Sequence, residues 1–431
     1  MRTDFFVRGD NMSYSEKALD ELQKNDLEEF KKNFKEALKS DSDEMLFSLA
    51  EELYSLGFSD DALKIYKQLL AKYPDEDEIR TYIADILISK DETDEALNCL
   101  NEIKPGSPYY INALLVEADL YQTQDLFVVS EHKLLEAEKL APDENVIKFA
   151  LAELYYSTGK YNQSIPIYLN LIKQGELSIS NVNLVERLGV CYAHAGKFEQ
   201  AIGYLEQIKP IDMTPSVQFE TGFTYLQLGN YKKAIEMFEM LRDSDPQYAT
   251  LYVYLGEAFL KDGKPEEALR TYQEGISVDE YNVALYLKAA DTAAKLGKSE
   301  LVTDYLQKGN RANPQNMAVI IKLSDVYLKD GKYQEDIDFL KPYLQEHDVD
   351  PQIYWDLAIA YDHLDQIKNA QVYYEKAYPD SKNNPDFLKQ YILFLRENGQ
   401  VEKTIDLLKQ YVKLEPGDDE MIYMLDDLEQ Q

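Results

Sequence analysis

Two consecutive segments of the chain follow one pattern: residues 215–248 read PSVQFETGFTYLQLGNYKKAIEMFEMLRDSDPQY, and residues 249–282 read ATLYVYLGEAFLKDGKPEEALRTYQEGISVDEYN. Each segment has two stretches with helical spacing of apolar residues, separated by a glycine at its fifteenth residue. A glycine or aspartate recurs at this place at Gly57, Asp91, Asp125, Gly159, Gly196, Gly229, Gly263, Gly297, Gly331, Asp365 and Gly399. Nine of the ten intervals are 33 or 34 residues, and such a period predicts stacked helix–turn–helix units.

Small and large residues recur at fixed positions of each unit. We number each unit so that its turn residue is position 15, and the first full unit then begins at Asp43. Position 8 is small except at Ile392: Ala50, Ala84, Ala118, Ala152, Gly189, Gly222, Gly256, Ala290, Ser324 and Ala358. Position 20 is small at Ala62, Ala96, Ser130, Ser164, Ala201, Ala234, Ala268 and Ala370. Aromatic residues are common at position 11, and position 24 is always aromatic or leucine, as at Tyr66, Phe238 and Tyr272. We expect the small residues to let paired helices approach and the large ones to fill the remaining space.

This pattern resembles the tetratricopeptide repeat family, whose motif has small residues at positions 8 and 20, aromatic residues at 11 and 24, and proline at 32. The prolines of this chain at position 32 are Pro74, Pro108, Pro142, Pro246, Pro314 and Pro416. The resemblance covers residues 43 to about 416. It implies an all-α fold, a right-handed superhelical solenoid of about eleven helix-turn-helix repeats with a concave binding surface. The chain also resembles long cytoplasmic tetratricopeptide proteins of Gram-positive bacteria.

We expect five regions along the chain. They are an unstructured lead at 1–11, with Met12 as a candidate natural start; a degenerate amino-terminal capping repeat at 12–42; repeats 1–4 at 43–178; repeats 5–11 at 179–416; and a carboxy-terminal capping helix at 417–431, in which Ile422 and Leu425 face inward. Two irregular intervals fall around residues 173–181 and 209–216. They predict either a hinge or ordinary variation of loop length. Pro342 should bend the second helix of its repeat.

The chain is strongly acidic, because 79 acidic and 45 basic residues give a net charge of −34. This charge disfavours nucleic acid and anionic membrane surfaces as partners, since both are negatively charged. The sequence has no apolar run of about 18 residues, the length that a membrane-spanning helix needs. Cys99 and Cys191 fall almost three repeats apart, too far for a disulfide. Free thiols are typical of a cytoplasmic protein.

Acidic residues recur at position 9, on the first-helix face that lines the groove in tetratricopeptide proteins. They are Glu51, Asp85, Asp119, Glu153, Glu257, Asp291 and Asp325, and the aromatic residues near the first four are Phe47, Tyr54, Tyr82, Phe149 and Tyr156. Apolar groups beside stacked carboxylates favour an extended, basic ligand. The alternative is that these acids are ordinary exposed residues, some of them paired with Lys288, Lys295, Lys322 or Lys329.

These patterns favour a non-enzymatic scaffold for protein–protein interaction that binds basic peptide segments in an acidic groove. One alternative is a peptide-signal receptor of a bacterial regulatory system, since some such sensors use this repeat. Another is an enzyme with an unrecognised site. No glycine-rich phosphate loop, helical zinc motif or Cys-x-x-Cys pair occurs in the sequence, so we expect neither a cofactor nor a metal. The oligomeric state is left open.

Overall fold

A computed structural model describes residues 12–345 and 349–430, and within these residues the protein forms 25 α-helices. Consecutive helices pack in pairs joined by short turns, which confirms the predicted all-α repeat solenoid. The expected lead at residues 1–11 lies outside the described residues. The chain divides into two compact units, the first ending at Ile208 and the second beginning at Lys209.

The described part of the first unit has twelve helices and one short hairpin. The helices are α1 (Tyr14–Gln23), α2 (Leu27–Ser40), α3 (Asp43–Ser55), α4 (Ser59–Lys72), α5 (Asp77–Ser89), α6 (Thr93–Asn101), α7 (Tyr110–Thr123), α8 (Phe127–Leu140), α9 (Asn145–Ser157), α10 (Tyr161–Lys173), α11 (Leu184–His194) and α12 (Phe198–Leu205). Strands β1 (Ser178–Ile179) and β2 (Val182–Asn183) pair antiparallel between α10 and α11. From α3 onward, odd-numbered helices are the first helices of their repeats and even-numbered helices the second.

The second unit continues the same order. Its α-helices are α13 (Pro215–Gln227), α14 (Tyr231–Ser244), α15 (Ala249–Lys261), α16 (Pro265–Val278), α17 (Val283–Lys295), α18 (Ser299–Ala312), α19 (Met317–Lys329), α20 (Tyr333–Leu340), α21 (Pro351–His363), α22 (Ile367–Ser381), α23 (Pro385–Glu397), α24 (Val401–Leu414) and α25 (Asp419–Glu429), with short 3-10 helices at Pro210–Asp212 and Lys341–Gln345. In α25 the buried residues are Met421 and Met424, whereas Ile422 and Leu425 are only partly buried. The buried stripe thus lies one residue earlier than expected, because a helical period fits either phase.

The recurring turn residue is a helix stop. All eleven turn residues, and Asn25 between α1 and α2, have positive φ angles between 55° and 84°. Glycine adopts this conformation without steric cost, and aspartate and asparagine tolerate it. At the end of α3, the Gly57 amide donates to the Tyr54 carbonyl at 3.0 Å and the Phe58 amide to the Leu53 carbonyl at 2.8 Å. These bonds satisfy carbonyls that the helix end would otherwise leave free.

The two irregular intervals contain the hairpin and a 3-10 helix. Ser180 and Asn181, both with positive φ, form the two-residue turn between β1 and β2, as right-handed strand twist favours. This hairpin takes up the extra residues of the first interval. The second interval contains the 3-10 helix Pro210–Asp212, next to the boundary between the units at Ile208 and Lys209. A hinge at either place stays a prediction.

Pro342 ends an α-helix instead of bending one. Helix α20 stops at Leu340, and residues Lys341–Gln345 continue as a 3-10 helix. The proline nitrogen has no proton to donate to the carbonyl four residues earlier, so the α-helical pattern cannot pass through it. The expectation of a kink within one continuous helix is therefore wrong.

A small residue packs closely on a large one in three of the helix pairs. In the first unit, a Cβ atom added to Gly189 would lie 2.7 Å from Cδ2 of Leu205. In the second unit, one added to Gly222 would lie 2.7 Å from Cε1 of Phe238, and one added to Gly256 would overlap the ring of Tyr272. Each pair joins position 8 to position 24 of one repeat, as the sequence predicted. Leu205, Phe238 and Tyr272 are fully buried.

Candidate peptide-binding face

Three carboxylates of the first unit occupy equivalent places on successive first helices. Glu51 lies in α3, Asp85 in α5 and Asp119 in α7, and all three side chains contact solvent. Among the described residues, none of the three has a basic partner within ion-pair distance. We call these residues the open acids.

Crowding raises the proton affinity of two open acids. Burial of part of the carboxylate by the packed helices raises the pKa of Asp85. The pKa of Asp119 is also raised, first by burial and then by the negative charge of Asp85. The two carboxylates therefore repel each other, and a cation between them would relieve this repulsion.

Aromatic rings lie directly beside the open acids. The Tyr54 hydroxyl donates a hydrogen bond to Asp85. The Phe47 ring contacts the Tyr82 ring edge-on, with centroids 6.0 Å apart, and Tyr82 stacks on Tyr66 at 5.2 Å. Phe47, Tyr54 and Tyr82 are only partly buried, so they can offer apolar surface to a ligand.

A pocket of about 460 Å³ opens next to Phe47. Its lining includes Tyr73, Ile79 and the carboxylates of Glu44 and Glu78. Glu44 and Glu78 both stand at position 2 of their repeats. These two carboxylates were not predicted as site residues, because position 9 alone does not indicate them.

The carboxylate of Glu153, in contrast, already has hydrogen-bond partners within the protein. It accepts hydrogen bonds from Nε of Arg187 at 3.1 Å, from a second guanidinium nitrogen at 3.3 Å, and from the Tyr168 hydroxyl. The Arg187 guanidinium also lies over the Tyr156 ring, 4.3 Å from its centroid, and Phe149 is buried in the core. The prediction that these three residues extend the binding face is not supported by their contacts, because their polar and apolar surfaces are used within the protein.

The predicted acids of the second unit are paired as well. Glu257 pairs with Lys288 at 3.1 Å, Asp291 with Lys322 at 2.6 Å, and Asp325 with Lys329 at 2.6 Å. These three residues are therefore ordinary acids paired with lysines, as the alternative interpretation of the sequence predicted.

Position 6 of the next repeat supplies the cation for three of the four paired acids, whereas Asp325 pairs with Lys329 of its own repeat. The carboxylates of Glu153, Glu257 and Asp291 each meet a cation there, namely Arg187, Lys288 and Lys322. The residues at that place after Glu51, Asp85 and Asp119 are Tyr82, Val116 and Ala150, none of which carries a positive charge. This relation between neighbouring repeats is a sequence signal that position 9 alone does not contain.

Metal ligation and thiol reactivity are two kinds of chemistry that the described residues allow us to examine. No group of three or more histidine, cysteine or carboxylate side chains there could hold a metal ion. Cys191 is buried, and burial raises the pKa of its thiol to about 11, which disfavours a reactive thiolate. In the part of the chain that the structure covers, no helix has the length and apolar character needed to cross a bilayer.

Known proteins similar to this chain are repeat proteins. Residues 122–176 match YpiA-like tetratricopeptide repeats, residues 351–418 match YpiA-like C-terminal tetratricopeptide repeats, and residues 221–282 match a general tetratricopeptide repeat. The TPR repeat-containing protein YpiA of Bacillus subtilis (strain 168) is 35% identical over 372 residues, which cover 86% of this chain and 88% of YpiA. Tetratricopeptide repeat protein 21B of Xenopus laevis is 22% identical over 205 residues, 46% of this chain and 15% of that protein.

Two solved structures match this chain at low sequence identity. The APC/C hetero-tetramer Cut9–Hcn1 matches with 13% identity and a TM-score of 0.37, covering 95% of each chain. Naa15/Naa10 bound to HypK-THB matches with 17% identity and a TM-score of 0.38, covering 88% of this chain and 64% of that one. The similarity to YpiA is stronger in sequence identity and extends over most of both chains, and it agrees with the position-by-position pattern. This chain belongs to the tetratricopeptide repeat family, together with the YpiA-like proteins.

Proposed function

We propose that this protein is a non-enzymatic scaffold that binds extended, basic segments of other proteins along the first helices α3, α5 and α7. Tetratricopeptide repeats are generally protein–protein interaction modules. The observation that supports a basic ligand is that Glu51, Asp85 and Asp119 lack the cation that their counterparts in later repeats have. Two of the three open acids are also held in a state that a cation would stabilise.

The spacing of the open acids suggests the form of the ligand. Packed helices lie roughly 8–10 Å apart, and an extended chain advances about 3.3 Å per residue. A lysine or arginine at about every third residue would therefore meet Glu51, Asp85 and Asp119 in turn. Because Tyr54 and Tyr82 lie between these acids, the intervening ligand residues should be aromatic or aliphatic.

Charge alone cannot account for specific binding. An exposed ion pair contributes about 0.2–1 kcal/mol, whereas micromolar affinity requires about 8 kcal/mol. The pocket beside Phe47 offers a place for an apolar anchor, and complete burial of a large apolar side chain contributes about 1.5–3 kcal/mol. We therefore expect the acids to orient the ligand and the aromatic residues to hold it.

A peptide titration tests this proposal. The probe is a fluorescent peptide of about 15 residues with lysine at every third position and tyrosine or leucine between. We expect it to bind, and we expect the same peptide with glutamate in place of lysine not to bind. In the triple variant Glu51→Gln, Asp85→Asn, Asp119→Asn the affinity should fall about tenfold at low salt, as the loss of three pairs of about 0.5 kcal/mol each predicts. The difference should shrink as salt is added.

The second unit supplies a matched control. The variant Glu257→Gln, Asp291→Asn, Asp325→Asn also removes three negative charges, but from carboxylates that are already paired with lysine. It should bind the basic peptide as the unmodified protein does, and circular dichroism should show both variants folded. Equal weakening in both triple variants would mean that binding follows net charge, and the site assignment would be wrong.

A cytoplasmic location is part of this proposal. Both cysteines are free, as is usual in a reducing compartment. The strongly negative net charge also fits a scaffold for basic segments, since it would repel nucleic acids that compete for the same segments.

A further inference from the structure

Two buried carboxylates lie among three helices of the second unit. Asp336 in α20 is 0% exposed and Asp356 in α21 is 5% exposed. The Ser324 hydroxyl of α19 donates to Oδ2 of Asp356 at 3.0 Å, and the side-chain amide of Gln352 donates to Oδ1 at 2.8 Å. Among the described residues, neither carboxylate oxygen of Asp336 has a hydrogen-bond partner. Asp336 is thus a buried polar group whose needs the surrounding protein does not meet.

The repeat pattern marks both aspartates as exceptions. Asp336 stands at position 20, which is alanine or serine in eight other repeats and lies against the facing helix. Asp356 stands at position 6, where the cations Arg187, Lys288 and Lys322 of other repeats pair with a carboxylate. At the boundary between these two repeats, an acid thus replaces the small residue of position 20, and a second acid replaces the cation of position 6.

No positive charge in the described residues compensates this pair. The other charges that act on Asp356 are the carboxylates of Asp325 and Asp350. Nearby basic groups have other partners: Lys329 pairs with Asp325, and Lys341 of the following 3-10 helix pairs with Asp338. His363, at the end of α21, stacks on Tyr333 at the start of α20, with ring centroids 4.5 Å apart.

A proton on Asp336 would remove the uncompensated charge and supply a hydrogen-bond donor to the cluster. An ionised carboxylate without a partner is strongly unfavourable in a protein interior. A protonated one has an O–H group that can donate. Ser324 gives its single hydroxyl proton to Asp356, which leaves the lone pairs of its oxygen free to accept. The resulting chain of donors runs from Asp336 to Ser324 to Asp356.

We propose that Asp336 is a neutral carboxylic acid in the folded protein, that it donates to Ser324, and that loss of its proton loosens the packing of α19, α20 and α21. The stability of this part of the second unit then depends on pH near neutrality.

The sign of this dependence follows from the direction of the shifts. Burial raises the pKa of Asp336 from its ordinary value of 3.8 to about 7; the nearby Ser324 hydroxyl opposes this rise, and the charge of Asp356 makes a smaller contribution to it. Burial also raises the pKa of Asp356, to about 6. Between about pH 4 and pH 7 the folded chain binds more protons than the unfolded chain, so stability falls as pH rises through this window. Above it, the loss is complete.

Infrared spectroscopy detects the proposed proton directly. At about pH 6, below the raised pKa, the full chain should show the carbonyl stretch of a protonated carboxylic acid. Asp336→Asn should remove most of this band and leave only the part that Asp356 contributes, because the pKa of Asp356 is raised to about 6, whereas His363→Gln should keep the whole band. A band that survives undiminished in Asp336→Asn and disappears in Asp356→Asn would overturn the assignment to Asp336, as would the lack of any such band in the unmodified protein.

Hydrogen exchange followed by mass spectrometry measures the consequence for packing. At about pH 8, amides of α19 to α21 should exchange more slowly in Asp336→Asn than in the unmodified protein; at about pH 5 this difference should be much smaller. If Asp336→Asn does not fold, Asp336→Ala, which restores the usual small residue, should show the same difference. Equal exchange at both pH values would contradict the proposal. So would protection at pH 8 that depends on added Na⁺, K⁺, Mg²⁺ or Ca²⁺ and is removed by chelation or ion exchange, since a cation would then be the missing partner.

Discussion

Replacing Gly256 by alanine is expected to lower the free energy of unfolding of the second unit by about 1–3 kcal/mol, the usual cost of overpacking a core. The new Cβ would overlap the ring of Tyr272, and that ring is fully buried and cannot swing into solvent. Helices α15 and α16 would have to move apart. Ala50 stands opposite Tyr66 at the same two positions of an earlier repeat. An alanine opposite a tyrosine is thus tolerated where the spacing of the two helices accommodates it. The expected loss of stability is therefore moderate.

Chemical denaturation of three further variants checks this result. Gly203→Ala in α12 is the control, because its Cβ would enter open space, and it should stabilise the protein by about 0.5–1 kcal/mol through helix propensity. Tyr272→Leu should destabilise on its own by leaving a cavity. The double variant Gly256→Ala, Tyr272→Leu should be more stable than the sum of the two single changes indicates. Strict additivity would show that position 8 does not pack on position 24.

Replacing Arg187 by methionine is expected to lower the free energy of unfolding of the first unit by about 2 kcal/mol. The change keeps an apolar stem but leaves Glu153, which is about three-quarters buried, without its cation, and loss of one partner of a buried charged pair costs about 1–3 kcal/mol or more. It also removes the guanidinium from the face of Tyr156. Urea denaturation measures the effect.

Glu153→Gln in the same chain is the matched control. Removing the uncompensated charge should recover part of the stability lost in Arg187→Met, and Glu153→Gln alone should also destabilise. The Tyr168 hydroxyl can still donate to the amide oxygen, and burial raises the pKa of Tyr168, so that it stays protonated. If Arg187→Met is as stable as the unmodified protein, the contacts of Arg187 have no structural role, and Glu153 would again be a candidate for ligand binding.

The repeat pattern predicted the fold because each repeat uses the same physical solution. A residue that tolerates positive φ ends every first helix, and a small residue admits the large one opposite, as Gly256 admits Tyr272. The pattern could not place the buried stripe of α25, since Met421 with Met424 and Ile422 with Leu425 have the same helical spacing. Nor did it show that Pro342 would end α20, because a proline can bend a helix or end it.

The candidate site was only partly predictable. Position 9 gives a row of carboxylates, but most of the paired ones meet a cation about 31–34 positions later, as the hydrogen bonds from Lys288 to Glu257 and from Arg187 to Glu153 show. Such a contact requires the register between repeats and the side-chain conformations, which a single-repeat alignment does not contain. The buried pair of Asp336 and Asp356 was missed for the same reason, since the two residues meet only across neighbouring repeats.

Photo-crosslinking of the basic peptide locates the ligand most directly. A photoreactive group at each end of the peptide should label residues of α3, α5 and α7, near Glu51, Asp85 and Asp119, and labelling should be lost in the triple variant that neutralises these acids. Peptide bound mainly to the second unit, or labelling of α3, α5 and α7 that persists in the triple variant, would contradict a binding face built on the open acids.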